Sequence, residues 1–272
     1  MIRAALLTCL VLCASAAAAA DRIKISIPVW SGQPGVLEAV LYRPDGNGPW
    51  PLAVINHGAP RRVEDAPRMR PGFDDMARLL VAHGYAVVVP MRRGYGRSSG
   101  PRTEGYRSCE DPDFAKSARA IADDILDVVA HMKTDRSVRG DRVLLLGYSA
   151  GAFGALAVAS RNPEGLIGVV NFAGGRGSLG GYKNCVPDRL VALMGAFGRT
   201  TRAPTLWIYS VNDTAFGPDL ARAMYDAFVA GGAPRAEFVQ APAWGDEGHY
   251  MVFYAPEIWQ PIVERFLSTL GS

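Results

Sequence analysis

The chain has 272 residues, of which 49% are hydrophobic and 20% charged, with 29 Lys and Arg against 26 Asp and Glu. That is enough apolar matter for one large core, which excludes a disordered chain, and the charge excess is too small for a nucleic-acid binder. Four scattered histidines without a His-x-x-x-His pair give a metal little to bind, so no metal and no cofactor are expected.

Residues 1–20 begin with a positive charge (Arg3), continue through an apolar core and end in a run of small residues, the pattern of a secretory leader cleaved near Ala20. Leu12, before Cys13, is not the small residue that a lipid-anchored form has there. A secreted or periplasmic domain over residues 21–272 is therefore expected, with no membrane span. Cleavage leaves Cys109 and Cys185; in an oxidising compartment an even pair favours a disulfide, with two buried thiols as the alternative.

Residues 23–29 alternate, turn at a Gly-Pro segment and return over 36–42 as an antiparallel hairpin. Residues 52–56 form a continuous apolar run, as a strand covered on both faces must, and end in His57-Gly58-Ala59-Pro60. A helix over 73–83 stops at Gly84. The buried strand 85–89 then leads into Arg93-Gly94-Tyr95-Gly96-Arg97-Ser98, whose glycines have the wrong spacing for a dinucleotide fingerprint. The basic residues Arg61, Arg62, Arg68, Arg70, Arg92, Arg93, Arg97 and Arg102 read as a solvated rim; their functional counterpart would be attraction of an anionic substrate at the pocket mouth. Residues 114–132 form an amphipathic helix with Ile121, Ile125, Val128 and Val129 inward and Asp123, Asp124 and Asp127 on the solvated side.

The aliphatic run 143–146 ends in Gly147-Tyr148-Ser149-Ala150-Gly151 and passes into a small-residue helix. This is a strand, a sharp turn and a helix with a serine at the bend. Gly147 and Gly151 must lack bulk for helix and strand to pass closely, which lifts Ser149 clear of the sheet, where the Ala150 N–H can meet a developing oxyanion. A sixth strand over 166–172 opens into a Gly-x-Gly-x-x-Gly stretch that no helix follows directly, so a cofactor loop is not expected there. Residues 174–201 read as a small cap with a short helix over 188–197. A strand over 204–210, a helix over 220–229, a last strand over 236–239 and a closing helix over 258–270 complete the chain.

Loops at the carboxyl ends of parallel strands open on one edge of a sheet. Ser149, Asp213 and His249 each fall in such a loop, in the order serine, acid, histidine. A serine hydroxyl needs a base to take its proton, and the imidazole needs an ionised acid to fix its tautomer. Asp246 and Glu247 are rival acids beside His249, expected to face solvent.

The Gly147-to-Gly151 motif resembles the nucleophile elbow of the α/β-hydrolase superfamily, and the resemblance extends over nearly the whole chain after residue 20. It implies a mostly parallel eight-stranded sheet with helices on both faces and a short cap. It also implies that the His57-Gly58 turn lends the Ala59 N–H to an oxyanion hole shared with Ala150, while His57 braces the loop. Tyr148 supports the site from beside the serine. The Arg-Gly-x-Gly-x-Ser segment is similar to that of the esterase and prolyl-peptidase branches. Dienelactone hydrolases carry cysteine where this chain has Ser149, which moves the expectation toward carboxylic esters and a small-molecule ester substrate. The alternatives are a prolyl-oligopeptidase-like peptidase, whose amino-terminal propeller has no counterpart in these residues, and a non-catalytic binding protein on a hydrolase scaffold. Oligomeric state is not legible.

Overall fold

The computed structural model describes residues 22–271; the expected leader lies outside them. The expected hairpin forms from β1 (Arg22–Val29) and β2 (Gly35–Tyr42), with Arg22 opposite Tyr42 and Val29 opposite Gly35. The continuous apolar runs become β3 (Trp50–Asn56) and, after α1 (Asp74–Ala82), β4 (Ala86–Pro90), buried along most of their length. Next come α2 (Phe114–Met132), β5 (Val138–Tyr148), α3 (Ala150–Ala159) and β6 (Leu166–Phe172). A short hairpin of β7 (Ser178–Gly180) and β8 (Lys183–Asn184) precedes α4 (Pro187–Thr200) and β9 (Thr205–Ser210). The chain ends with α5 (Pro218–Ala230), β10 (Ala236–Ala241), α6 (Met251–Tyr254) and α7 (Pro256–Ser268).

Eight strands form one sheet in the order β1-β2-β4-β3-β5-β6-β9-β10. Within it β2 runs against its neighbours and the remaining pairs are parallel. Helices α2 to α5 bury Ile121, Phe153, Leu190 and Met224 against one face, while α1 and α7 bury Leu80, Trp259 and Phe266 against the other. This is the α/β-hydrolase fold. Among the described residues no helix is long and apolar enough to cross a membrane.

Two expectations change. The helix expected at 188–197 is present, but it does not cap the site: Leu190 and Met194 are fully buried in the helical layer. Its glycines let α4 touch α5, and a Cβ on Gly198 would stand 1.9 Å from the Phe228 carbonyl oxygen. The part of 174–201 that reaches the cavity is the loop after β6 together with β7, residues 175–180. Nor do all the carboxylates of α2 face water. Asp124 is buried against the Arg93 guanidinium at 2.5 Å, and Asp127 accepts from the backbone amides of Trp30 and Ser31 at 2.9 and 2.8 Å. Only Asp123 of the three stays on the surface, paired with Arg161.

A disulfide joins Cys109 in the loop after β4 to Cys185 after β8, across 76 residues. Closing a loop of that length removes much conformational freedom from the unfolded chain. Urea unfolding with and without reductant is expected to differ by about 2–4 kcal/mol; coincident curves would show that the bridge adds no stability.

Candidate active site

The site begins with a close approach of backbones. A Cβ on Gly151 would lie 2.2 Å from the Asn56 carbonyl oxygen, and one on Gly147 would lie 2.4 Å from the Ala152 nitrogen. Both positions therefore need glycine, and α3 starts hard against the end of β3. Ser149, between them, has φ 53° and ψ −121°, a region that side chains with a Cβ seldom enter. Hydrogen bonds hold it there: its N–H donates to the Phe172 carbonyl at 2.9 Å, and its carbonyl accepts from Phe153 N at 3.0 Å.

The structure brings the three candidate side chains together across 100 residues of sequence. Ser149 Oγ lies 3.2 Å from His249 Nε2, and His249 Nδ1 lies 3.0 Å from Asp213 Oδ2. The other oxygen of the buried Asp213 carboxylate accepts from the amides of Ala215 and Phe216 at 2.8 and 2.9 Å. An acid held this way presents one free oxygen to the imidazole and fixes the tautomer whose Nε2 can accept the serine proton. Tyr148 packs its ring 4.9 Å from that of His249.

The rivals are elsewhere. Asp246 is exposed. Glu247, expected to face solvent, instead accepts from Thr214 N at 3.0 Å, from His249 N at 3.1 Å and from the Thr214 hydroxyl. It ties the histidine loop to the aspartate loop through backbone rather than touching the imidazole. These bonds hold its carboxyl below the usual range against the opposing effect of burial.

Across the cavity, Gly58 lies so near the serine that a Cβ would stand 3.1 Å from Ser149 Cβ. Ala59 and Ala150 both line the cavity, and neither amide has an acceptor among the described residues. Two free N–H groups beside a serine are what an oxyanion hole requires. His57 braces this loop: Nδ1–H donates to Gly58 O at 2.6 Å, and Nε2 accepts from Arg92 N at 3.0 Å. Burial, aided by the Arg92 charge, pushes its pKa down to about 3, so the ring is neutral.

Arg92 and Arg93, read as part of a solvated rim, are buried. The Arg92 guanidinium donates to His57 O at 2.6 Å and to Glu104 Oε2 at 2.7 Å, with a longer contact to Gly58 O. Arg176 adds a second cation 3.4 Å from Glu104 Oε1. Burial by itself would raise the Glu104 carboxyl, but the two guanidiniums hold it down to about 2. Sequence reading missed these roles of Arg92, Glu104 and Arg176. Arg92 adjoins the Arg-Gly-x-Gly-x-Ser segment and Arg176 lies inside the Gly-x-Gly-x-x-Gly stretch, but neither pattern states a partner, and Glu104 lies in a loop without a pattern.

The cavity measures about 630 Å³. Its walls combine Phe73, Phe216 and Phe253 with arginines 61, 70, 102 and 176. Among the described residues no three His, Cys, Asp or Glu side chains form a metal cluster.

The neutral His57 predicts a pH dependence of stability. Its ring takes a proton at about 6.5 in the unfolded chain but resists one to about 3 in the folded protein. Stability is therefore complete above pH 6.5 and falls below it, by up to about 1.4 kcal/mol per pH unit. Urea unfolding between pH 7 and 5 should show this slope, and His57→Gln should flatten it whatever its cost in absolute stability. An unchanged slope in that variant would contradict the assignment.

Comparison with known proteins places this geometry. No curated protein sequence matches the chain. Of solved structures, the Pyrococcus furiosus esterase Pf2001 superposes with TM-score 0.64 at 17% identity, covering 93% of this chain and 94% of that one. A Klebsiella pneumoniae protein assigned as a dienelactone hydrolase gives 0.61 at 20% identity over 92% and 98%. Dipeptidyl peptidase 4 of Porphyromonas gingivalis gives 0.65 at 15% identity, covering 92% of this chain and 35% of that one. At such identities the likeness shows the fold. The family model of the X-Pro dipeptidyl-peptidases (S15 family) matches residues 35–184, more than half of the chain and including Ser149. With an elbow serine inside that match and an α/β-hydrolase sheet around it, the chain belongs to the S15 family of serine hydrolases.

Proposed function

We propose that the protein hydrolyses carboxylic esters through an acyl-enzyme, with Ser149 as nucleophile, His249 as general base and Asp213 as the acid that orients it. The observation that carries this is the continuous path from Ser149 Oγ to His249 at 3.2 Å and on to Asp213 at 3.0 Å. His249 Nε2 takes the hydroxyl proton as the serine oxygen attacks the ester carbonyl. The tetrahedral oxyanion is met by the Ala59 and Ala150 amides, each such donor contributing about 3 kcal/mol. Collapse expels the alcohol, protonated by His249, and leaves the acyl group on Ser149. A water, deprotonated by the same imidazole, then releases the acid. Secretion after removal of residues 1–20 belongs to the same proposal and is supported by the leader composition and the disulfide.

The family description and a peptidase among the similar structures suggest the second reading, a peptidase, here one removing X-Pro dipeptides. Such a substrate brings a free ammonium group, which calls for a carboxylate beside the serine. Among the described residues no acidic side chain lines the cavity, and this supports the ester reading.

A fluorophosphonate is expected to label the wild type and to leave Ser149→Ala unlabelled. Asp213→Asn should lower kcat on 4-nitrophenyl butyrate by about 10⁴-fold while the protein stays folded. Cleavage of X-Pro 4-nitroanilides faster than of any short ester would replace the ester reading with the peptidase one. Near-normal turnover in Asp213→Asn would move the acid elsewhere.

A further inference from the structure

We propose that the cavity beside Ser149 is built for esters carrying a second, anionic group, a carboxylate, and that Arg102 is the residue that receives it. The inference deepens the ester-hydrolase reading and rests on it.

Among the described residues the lining contains Arg61, Arg70, Arg102 and Arg176 and no aspartate or glutamate. The carboxylates behind the wall are already committed. Asp213 serves His249 and two amides, and Glu247 serves Thr214 and the His249 amide. Glu104 is shared by Arg92 and Arg176, so that buried group keeps a net positive charge. Arg61 reaches Glu247 only at 3.5 Å and is largely in water. The cavity therefore faces an uncompensated positive field, which concentrates anions and repels cations.

Arg102 differs from the others. It is half-buried, and among the described residues it has no carboxylate within 4.0 Å and no side-chain hydrogen bond. Its guanidinium is not among the buried unpartnered groups and still meets the water of the cavity; a ligand carboxylate would supply the missing partner in a two-point, planar fit.

Its position is also fixed on both sides. Gly94, at φ 79°, lets the Arg102 backbone approach so closely that a Cβ there would meet Arg102 Cβ at 2.6 Å and its N and Cα at 2.8 Å. Two residues further on, Glu104 is held by Arg92 at 2.7 Å and by the Tyr95 hydroxyl at 2.5 Å, while its carbonyl accepts from Ser117 Oγ at 2.7 Å. The segment between these anchors is preorganised, which lowers the ordering cost of binding. The glycine of the Arg-Gly-x-Gly-x-Ser segment thus has a use at the cavity wall.

The test compares 4-nitrophenyl hemiglutarate (carboxylate on the acyl side) and 4-carboxyphenyl butyrate (carboxylate on the alcohol side) with 4-nitrophenyl and phenyl butyrate. In the wild type kcat/KM is expected to favour one anionic ester over its neutral counterpart by about tenfold to a hundredfold, the range of a charged hydrogen-bonded pair. Arg102→Gln should bring that ratio toward one, chiefly through KM, with Arg102→Lys between them. Arg62→Gln, outside the cavity, should keep the wild-type ratio. Glutarate titrated calorimetrically should bind the wild type and lose about tenfold or more in affinity in Arg102→Gln. A ratio near one in both arms, or one unmoved by Arg102→Gln, overturns the inference while leaving ester hydrolysis standing. Absence of turnover on every ester overturns the hydrolase reading instead, and glutarate binding then decides the arginine site alone.

Discussion

The contact on which the site depends is made of backbone alone. At Gly151 the first turn of α3 lies against the carbonyls of Asn56 and His57, with no room for a methyl group. The two amides of the candidate oxyanion hole stand on opposite sides of this contact, Ala59 shortly after His57 and Ala150 just before Gly151. Their separation is thus set by the same approach that forces Ser149 into its unusual backbone conformation. Strain of that kind costs about 1–3 kcal/mol and persists only where the surroundings over-determine it. Here β5 on one side, α3 on the other and the bond to Phe172 leave the serine no relaxed alternative.

Close packing alone would not orient the loop after β3, because a His-Gly turn can expose either its carbonyls or its amides. Arg92 settles the direction. Its guanidinium gathers the His57 and Gly58 carbonyls on the side away from the cavity, and Glu104 neutralises part of its charge. As a source of stability such a buried pair is poor, since desolvation consumes most of the attraction; breaking it is another matter, costing about 3–5 kcal/mol for the charge left alone. The pair is better understood as a positioning device, and His57 as its neutral companion: a charged ring there would add a third cation beside Arg92 and Arg176.

What could be read from the sequence followed the reach of local pattern. Continuous apolar runs located β3, β4 and β5, alternation located the hairpin, and small residues around a serine located the elbow. Asp213 and His249 could be singled out as candidates because topology brings the ends of parallel strands to one edge, so position in the chain stands in for position in space. Where partners come from distant loops, pattern failed. Asp124 and Asp127 sit on the polar stripe of α2, and helical periodicity assigns such a stripe to water; in the fold it meets Arg93 and the turn after β1. The helix at 188–197 was recognisable, but its place in the helical layer depends on Gly198 fitting against α5, which no local rule states.

Fold and charge then divide the work of function. The α/β-hydrolase scaffold brings together a serine, a histidine and two free amides, and the proposed apparatus would serve esters and amides alike, so family membership alone leaves the substrate open. The decision passes to the walls, and the sign of their charge discriminates strongly. At about 6 Å in a medium of effective dielectric about 20, a unit charge feels about 3 kcal/mol from a guanidinium, roughly a hundredfold in binding. An arginine wall turns that against the ammonium end of a peptide and in favour of a carboxylate. The proposed preference for anionic esters therefore follows from an imbalance that the fold leaves at one place, where Glu104 answers two buried arginines and, among the described residues, no carboxylate answers Arg102.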